Sequence, residues 1–204
     1  MSLTHLVLLR HGLTNWNAEG RIQGYADEPL NALGREQAHA AAEGLRPHPP
    51  AALYSSDLQR AKVTAQIIGA PHGLEPVVDE RLREINCGVW EGRTWVEVNR
   101  EHPDIQDKYA TGIDFRRGET GETVAEMVQR AIPAARGIAA AHPGQVVLVV
   151  AHGLLIQRLA QALVGLDPAA RILGSVGNTH TTTISLAGDR AWLASHNAPV
   201  ARVA

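Results

Sequence analysis

Two apolar runs in this chain end in the same dipeptide, a histidine followed by a glycine. The first reads LVLLRHG over residues 6–12, and the second reads VVLVVAHG over residues 146–153. Short apolar runs closed by glycine are typical of buried strands. In open α/β sheets, ligands bind at the carboxyl ends of the strands. We therefore expect His11 and His152 to face each other at one sheet edge. For either histidine alone, a purely structural contact at the strand end is the alternative.

Strand and helix patterns alternate through the rest of the chain. We predict short strands at 51–55 and 74–78, a long loop over 12–31, and a terminal hairpin around Gly188-Asp189. The first main helix is predicted at 31–45, with Asn31 as its cap. The second follows its cap, Ser56 or Asp57, and ends at Gly69. Two more are predicted at 123–141, with a bend at Pro133, and after Gly153. This order favours an α/β fold, a three-layer sandwich with a mostly parallel central sheet and helices on both faces. We expect a single domain over 1–204, with residues of about 85–123 as a cap-like insertion over the site.

Composition excludes several classes of protein. Apolar residues make up 45% of the 204-residue chain, charged residues make up 20%, and the net charge is −2. This balance fits a globular protein and gives no electrostatic reason to expect nucleic acid or an anionic membrane as a partner. The single cysteine, Cys87, cannot form an internal disulfide, and no apolar run reaches the length of a membrane span. A cytoplasmic location is the expectation, and the sequence leaves open whether the chain forms a homodimer.

The residues beside the two histidines suggest a phosphate site. Arg10 precedes His11, and Arg60 lies in the first turn of a predicted helix, where the helix dipole favours an anion. Guanidinium groups form paired hydrogen bonds with phosphate or carboxylate oxygens. Asn17, on the loop after the first strand, could add a neutral donor. We therefore predict a cationic pocket that binds a small phosphorylated metabolite.

A histidine in such a pocket can also act as a nucleophile. A neutral imidazole attacks phosphorus and forms a phosphohistidine, which water then hydrolyses. The leaving alcohol needs a proton donor, and a carboxyl group can serve if it is protonated. Candidates lie in one acidic stretch that contains Glu80, Glu84 and Glu91. We find no metal-ligand spacing in the sequence, so we predict no metal and no cofactor.

The chain resembles the histidine phosphatase superfamily, also called the phosphoglycerate mutase-like family, over nearly its whole length. The resemblance rests on five segments in the family's order: Arg10-His11-Gly12 with Thr14 and Asn17; Ser55 to Ala61, which contains Arg60; Leu82-Arg83-Glu84 followed by Gly88 to Gly92; Gly121-Glu122-Thr123; and Ala151-His152-Gly153.

The resemblance implies a role for each matched residue. His11 would be the phosphorylated nucleophile, and Glu84 would be the proton donor and then the base that activates water. Arg10, Arg60 and His152 would hold the phosphoryl oxygens, with Asn17 helping. The resemblance also implies substrate contacts from Gln23 and Gly24, on the loop that borders the substrate in relatives, and from Gly153 beside the second histidine.

Three functions are compatible with this resemblance. A phosphatase is favoured, because the region after Glu84 is compact whereas cofactor-dependent mutases carry an extra segment there. A mutase-type phosphotransfer is the alternative, since Arg116-Arg117 falls roughly where mutases keep an arginine pair for a substrate carboxylate; we interpret this pair as a solvated basic turn. A catalytically silent phosphate-binding protein is the third option, and it is disfavoured because the five catalytic positions are all occupied.

Overall fold

The strands and helices follow the predicted alternation. The structure, a computed structural model, describes residues 2–200. The strands are Thr4–Arg10 (β1), Ala52–Ser55 (β2), Val77–Val78 (β3), Val146–Ala151 (β4), His180–Ala187 (β5) and Arg190–Pro199 (β6). The α-helices are Asn15–Ala18 (α1), Ala32–Leu45 (α2), Gln59–Gly69 (α3), Trp95–Glu101 (α4), Ile105–Thr111 (α5), Val124–Ala141 (α6) and Gly153–Leu163 (α7). Short 3-10 turns occupy Ala70–His72, Glu80–Leu82 and Gly88–Trp90.

The six strands form one sheet in the order β3-β2-β4-β1-β5-β6. The first four are parallel neighbours, whereas β5 and β6 add to the β1 side as an antiparallel hairpin. In the β1–β4 pairing Arg10 lies opposite Ala151. The residues that follow these two, His11 and His152, therefore leave the sheet side by side, as the two matching runs predicted.

Helices cover both faces of the sheet, which confirms the predicted α/β fold class. On one face α6 and α7 pack through residues such as Met127, Ala131 and Leu155, all essentially buried. On the other face α2 and α3 pack through Ala41 and Ala61 with other small side chains. Alanines at these contacts allow the helices to lie close to the strands, and large aliphatic side chains from β1 and β4 fill the space between.

Several local predictions were wrong in their bounds. The third strand covers only Val77–Val78 instead of 74–78. Helix α3 has Leu58 as its N-cap and no side-chain capping bond, because the Asp57 carboxylate instead accepts hydrogen bonds from Arg83. The expected loop at 12–31 contains the short helix α1. The helix predicted at 123–141 is present as α6, Val124–Ala141, with Pro133 inside it. The prediction for Asn31 is confirmed, since its side chain accepts from Gly34 N at 2.8 Å.

Two glycines allow the loop after β1 to lie directly on α2. A Cβ atom added at Gly34 would lie 2.0 Å from the carbonyl oxygen of Leu13, and one added at Gly12 would lie 2.3 Å from the carbonyl oxygen of Gly34. Both obstacles are backbone atoms, which cannot rotate away as side chains can. The loop that carries His11 is thus fixed against α2 by the absence of two side chains.

Gly34→Ala should destabilise the protein by about 1–3 kcal/mol or more, the usual cost of forced overpacking. The measurement is urea unfolding followed by far-UV circular dichroism. Gly137→Ala is the matched control, because it also lies within a helix but has no atom within 4 Å of an added Cβ. The control should gain about 0.5–1 kcal/mol from the better helix propensity of alanine. Equal effects of the two substitutions would contradict this account of the loop contact.

Candidate active site

His11 lies immediately after β1, buried with 3% of its surface exposed. Its backbone N–H donates to Ala151 O at 3.0 Å, which extends the β1–β4 pairing by one residue. Its ring Nδ1 lies 2.7 Å from Gly12 O. Because a carbonyl oxygen only accepts hydrogen bonds, Nδ1 carries the proton. In the neutral ring the lone pair is therefore on Nε2, the atom available as a nucleophile.

His152 follows β4 and lies against His11, with 5.3 Å between the ring centroids. The residue is completely buried, and neither ring nitrogen has a hydrogen-bond partner among the described residues. Buried polar atoms are normally paired, so two unpaired nitrogens on one ring indicate a site that is completed by a ligand or by water.

Two arginines flank this histidine pair. Arg10 Nη1 donates to Val176 O at 2.7 Å, and Arg60 donates to Ala26 O at 2.7 Å and to Gly24 O at 2.8 Å. These backbone contacts fix the orientation of each guanidinium, while both Nε atoms stay unpaired in the described structure. Arg60 is 1% exposed, so it is directed inward, as expected for a residue that serves an anion.

Positive charge and burial together determine the protonation of the histidines. Burial, then Arg60 and Arg10, hold the pKa of His11 well below its usual value. Burial, followed by Arg60, His11 and Arg10, does the same to the pKa of His152. Burial also lowers the pKa of Arg60 to about 10, which leaves it cationic at neutral pH. The site therefore combines neutral imidazoles with charged guanidiniums.

The side chain of Glu84 reaches the N-terminus of α7, next to the segment that carries His152. Its Oε2 accepts from Leu154 N at 3.0 Å, and its Oε1 accepts from Leu155 N at 2.9 Å and from Ile85 N at 3.0 Å. Burial lowers the pKa values of Arg10 and Arg60, and the charge of Glu84 opposes this shift. The backbone thus holds this carboxyl group in one orientation next to the cationic pair.

The backbone of Glu84 is itself held by Arg130 on α6. Arg130 Nη2 donates to Glu84 O at 2.7 Å, and its Nη1 donates to the carbonyls of Arg81 and Arg83, both at 2.9 Å. The same guanidinium forms hydrogen bonds to both carboxylate oxygens of Glu122, at 2.8 and 2.9 Å. Arg130 is therefore a positioning residue for Glu84, which the sequence analysis did not identify.

The predicted loop residues also reach the site. A cavity of about 160 Å³ is lined by Arg10, His11, Asn17, Arg21, Ile22, Gln23, Gly24, Arg60, Glu84, Ile85, Cys87, Trp95 and Leu154. His152 and Gly153 are not part of this lining, although the His152 ring lies against that of His11. An added Cβ at Gly153 would come within 3.3 Å of Arg10 Nε, so this glycine makes room for the arginine. The predicted cap contributes Ile85, Cys87 and Trp95 to the lining.

Asn178 is a further residue at the site that sequence reasoning missed. Its Nδ2 donates to His11 O at 2.9 Å and to Asn17 Oδ1 at 3.4 Å. The oxygen of Asn17 also accepts from Thr14 N at 3.3 Å, within the capping box of α1. Because Asn17 Oδ1 is engaged in these bonds, its amide nitrogen is the donor that remains for a ligand. Asn178 follows an irregular segment, and no sequence pattern marks its approach to His11.

Arg116 and Arg117 are not part of the cavity that contains His11. Arg116 pairs with Glu126 at 2.5 Å on the surface. Arg117 is 3% exposed and lies over the ring of Phe115 at 4.0 Å, so the interpretation of this pair as a solvated turn was wrong for Arg117. The two arginines have structural contacts, and neither lines the cavity with His11.

The remaining candidate residues, Glu91, Glu80 and Cys87, are not placed for catalysis. Glu91 Oε1 accepts from Tyr25 N at 2.8 Å and from Cys87 N at 3.1 Å, which fixes the loop that carries Gly24. Glu80 is largely exposed. Burial raises the pKa of the Cys87 thiol, so it is not a reactive nucleophile.

Two features are absent from the described part of the chain. Within residues 2–200, no three His, Cys, Asp or Glu side chains are grouped in a way that could hold a metal ion. No helix in the same range has the length and apolar character that crossing a membrane requires.

The arrangement of His11, His152, two arginines and a backbone-held carboxyl group can be compared with known proteins. Residues 6–199 match the model of the histidine phosphatase superfamily (branch 1). The chain belongs to this superfamily. A glucosyl-3-phosphoglycerate phosphatase from Mycolicibacterium vanbaalenii is 39% identical over 198 residues, which cover 92% of this chain and 86% of that protein.

Two further relatives support the same family. A protein named probable phosphoglycerate mutase GpmB, from Yersinia enterocolitica, is 35% identical over 193 residues, which cover 95% of this chain and 89% of that protein. The structure of a mycobacterial glucosyl-3-phosphoglycerate phosphatase in complex with VO3 is 37% identical, with a TM-score of 0.87 and coverage of 95% of this chain and 98% of that one. The family predicted from the five sequence segments is confirmed.

The buried histidines should make this superfamily member less stable in acid. Below the ordinary histidine pKa of 6.5, the unfolded chain binds protons at positions 11 and 152, whereas the folded chain does not until a much lower pH. The free energy of unfolding should therefore fall as the pH drops below that value, by up to about 1.4 kcal/mol per pH unit for each histidine.

Urea unfolding at several pH values between 7.5 and 5.5 measures this dependence. His152→Gln should reduce the slope, because one of the two buried imidazoles is removed. His39→Gln is the control, since His39 is an exposed side chain on α2. An unchanged slope in the His152 variant would show that this ring is not held neutral by burial.

The Arg130 contacts predict a selective effect on the role of Glu84. Arg130→Gln should lower kcat/KM for an alkyl phosphate by about tenfold, equivalent to ~1.4 kcal/mol of transition-state stabilisation. The loss for p-nitrophenyl phosphate should be smaller, because its leaving group needs less help from a proton donor. Arg136→Gln is the control on the same helix and should leave both rates unchanged, because the half-buried Arg136 pairs with Asp189 and not with the Glu84 segment. Equal losses on the two substrates would indicate a general folding defect instead.

Proposed function

We propose that this protein hydrolyses phosphomonoesters of small metabolites through a phosphohistidine intermediate on His11. The observation that carries the proposal is the tautomer of His11, with its proton on Nδ1 held by Gly12 O and its lone pair on Nε2 in a cation-lined cavity. A neutral, oriented imidazole beside two guanidiniums is suited to attack on phosphorus. The phosphatase assignment agrees with the family and with phosphatase relatives of this length.

The reaction follows in two steps. In the first, Nε2 of His11 forms a bond to phosphorus while the bond from phosphorus to the ester oxygen breaks, and the Glu84 carboxylic acid gives its proton to the leaving oxygen. In the second, the Glu84 carboxylate takes a proton from water, the water oxygen bonds to phosphorus, and the N–P bond breaks. The products are the alcohol and inorganic phosphate, and His11 returns to its neutral form.

Arg10, Arg60 and His152 support these steps by binding the phosphoryl oxygens. A phosphate monoester carries about −1.5 to −2 charges near neutral pH, and the two buried guanidiniums offset most of this charge. Their unpaired Nε atoms and the single N–H of the neutral His152 ring are donors that a phosphoryl group would satisfy. Asn17 adds its amide nitrogen, and Gln23 and Gly24 border the same cavity.

The substrate is a small phosphorylated metabolite, and an acidic one fits the relatives named for glucosyl-3-phosphoglycerate. The chemistry proposed here uses side chains and water alone, without a metal or a cofactor. A cytoplasmic location and a homodimer belong to the same proposal, and subcellular fractionation and the mass of the protein in solution test them.

A mutase is the second candidate function, because one relative is named as a probable phosphoglycerate mutase. The placement of Arg116 and Arg117 away from the cavity favours the phosphatase, since neither guanidinium can reach a substrate carboxylate there. Incubation with 3-phosphoglycerate, followed by phosphorus NMR, separates the two. Inorganic phosphate as the product supports hydrolysis, whereas 2-phosphoglycerate supports phosphotransfer.

Rapid quenching during turnover should trap acid-labile phosphate on His11. His11→Ala should abolish trapping and reduce turnover by at least about a thousandfold, as expected when a nucleophile is lost. Glu84→Gln should slow the hydrolysis of alkyl phosphates far more than that of p-nitrophenyl phosphate, and its phosphoenzyme should accumulate because water is no longer activated. His39→Ala is the control for both variants. Full turnover by His11→Ala would exclude the proposed nucleophile.

A further inference from the structure

A second and larger cavity opens beside the catalytic one. Its volume is about 620 Å³, within the usual range for small-molecule sites of roughly 300–1,000 Å³. It lies between α4, α5 and α7 and the irregular segment 171–175. Trp95 and Leu154 line both cavities, so the two spaces share a wall.

The shared wall relates this cavity to the leaving group of the substrate. The Leu154 N–H donates to Glu84 Oε2 at 3.0 Å, which places the carboxyl group at the boundary between the two spaces. A residue that protonates the leaving oxygen must lie on the side of phosphorus where the alcohol departs. The alcohol part of the substrate therefore extends past Glu84 toward the larger cavity.

The charges around the larger cavity favour an anion. Arg158 is 4% exposed, and among the described residues its Nε has no partner and its guanidinium has no carboxylate contact. Arg171, an exposed residue of the same lining, likewise has no ion pair within residues 2–200. Burial and the charges of Arg117 and Arg171 lower the pKa of Arg158. Clustered guanidiniums without carboxylates bind anions such as a carboxylate.

The other lining groups favour a hydroxylated ring. Trp95 and Tyr109 present aromatic surface, with their ring centroids 5.8 Å apart. Asn99 has a buried Oδ1 without a partner among the described residues. Gln157 uses its amide nitrogen to hold Gly174 O at 2.8 Å, which leaves its oxygen as an acceptor. Aromatic faces with amide oxygens between them suit a ring that carries several hydroxyl donors.

We propose that the larger cavity is a leaving-group subsite, in which Arg158 and Arg171 bind a carboxylate and Trp95, Asn99 and Gln157 bind a hydroxylated ring. This rests on the proposed function, because Glu84 defines the direction of the leaving group. The substrate class is then a phosphate ester of a glycosylated hydroxy acid. The arginines that bind this carboxylate are Arg158 and Arg171, and not Arg116 and Arg117.

The test compares kcat/KM on four esters: p-nitrophenyl phosphate, glycerol 3-phosphate, 3-phosphoglycerate and glucosyl-3-phosphoglycerate. The wild type should prefer the carboxylated and glycosylated ester by at least about tenfold over glycerol 3-phosphate, given the usual strength of charge-assisted hydrogen bonds. Arg171→Ala should lower kcat/KM for the two carboxylated esters by at least about tenfold more than for p-nitrophenyl phosphate. Arg171 is chosen because its side chain is exposed, so its removal does not disturb the core.

Asn99→Leu should instead reduce the preference for the glycosylated ester over 3-phosphoglycerate. Arg116→Ala is the matched control and should keep the wild-type ratios, because Arg116 pairs with Glu126 on the surface. A wild type without preference among the esters would overturn the subsite while leaving the phosphatase intact. Loss of selectivity in Arg116→Ala but not in Arg171→Ala would overturn it as well.

Calorimetric titration with glucosylglycerate, the dephosphorylated alcohol, tests the subsite without catalysis. Binding to the wild type that weakens in Arg171→Ala supports the proposal, and the absence of binding at millimolar concentration contradicts it. A different result would contradict the proposed function: no ester is hydrolysed and no phosphate is trapped on His11.

Discussion

The candidate active site of this superfamily member depends on buried positive charge that lies close to the carboxyl group of Glu84. Arg60 is almost completely enclosed, and Arg10 lines the same cavity. Burial of an arginine is costly unless its donors are satisfied, and here backbone carbonyls of Gly24, Ala26 and Val176 satisfy part of each guanidinium. Carbonyls hold an arginine without cancelling its charge. The charge therefore remains available to an anionic ligand, and burial together with this charge keeps both imidazoles neutral.

Parallel pairing of β1 with β4 brings these groups together. A histidine directly follows each strand, and the register that places Arg10 opposite Ala151 brings the centroids of the two rings to 5.3 Å. A shift of one residue would direct the ring of one histidine to the other face of the sheet. The buried side chains of β1 and β4 fix that register, so the packing of the core determines the geometry of the site.

Part of this arrangement could be predicted from the sequence and part could not. The strand-end histidines, Arg60, Asn31 as a cap and the alternation of strands with helices each follow from a local pattern. Arg130 and Asn178 could not be found in this way, because each acts through backbone carbonyls far away in the chain. The cap of α3 was mispredicted for a similar reason, since Arg83 competes for the Asp57 carboxylate.

Glu84 shows why one acid of three becomes the candidate proton donor. Glu91 is also close to the cavity, but the backbone N–H groups of Tyr25 and Cys87 bind it, and it fixes a loop. Glu84 is held at the start of α7 by Leu154 and Leu155, beside the histidine pair and the boundary of the larger cavity. The N–H groups at the N-terminus of α7 fix the orientation of this carboxyl group. In the proposed reaction the same group is therefore in place to give a proton to the leaving alcohol and then to take one from water.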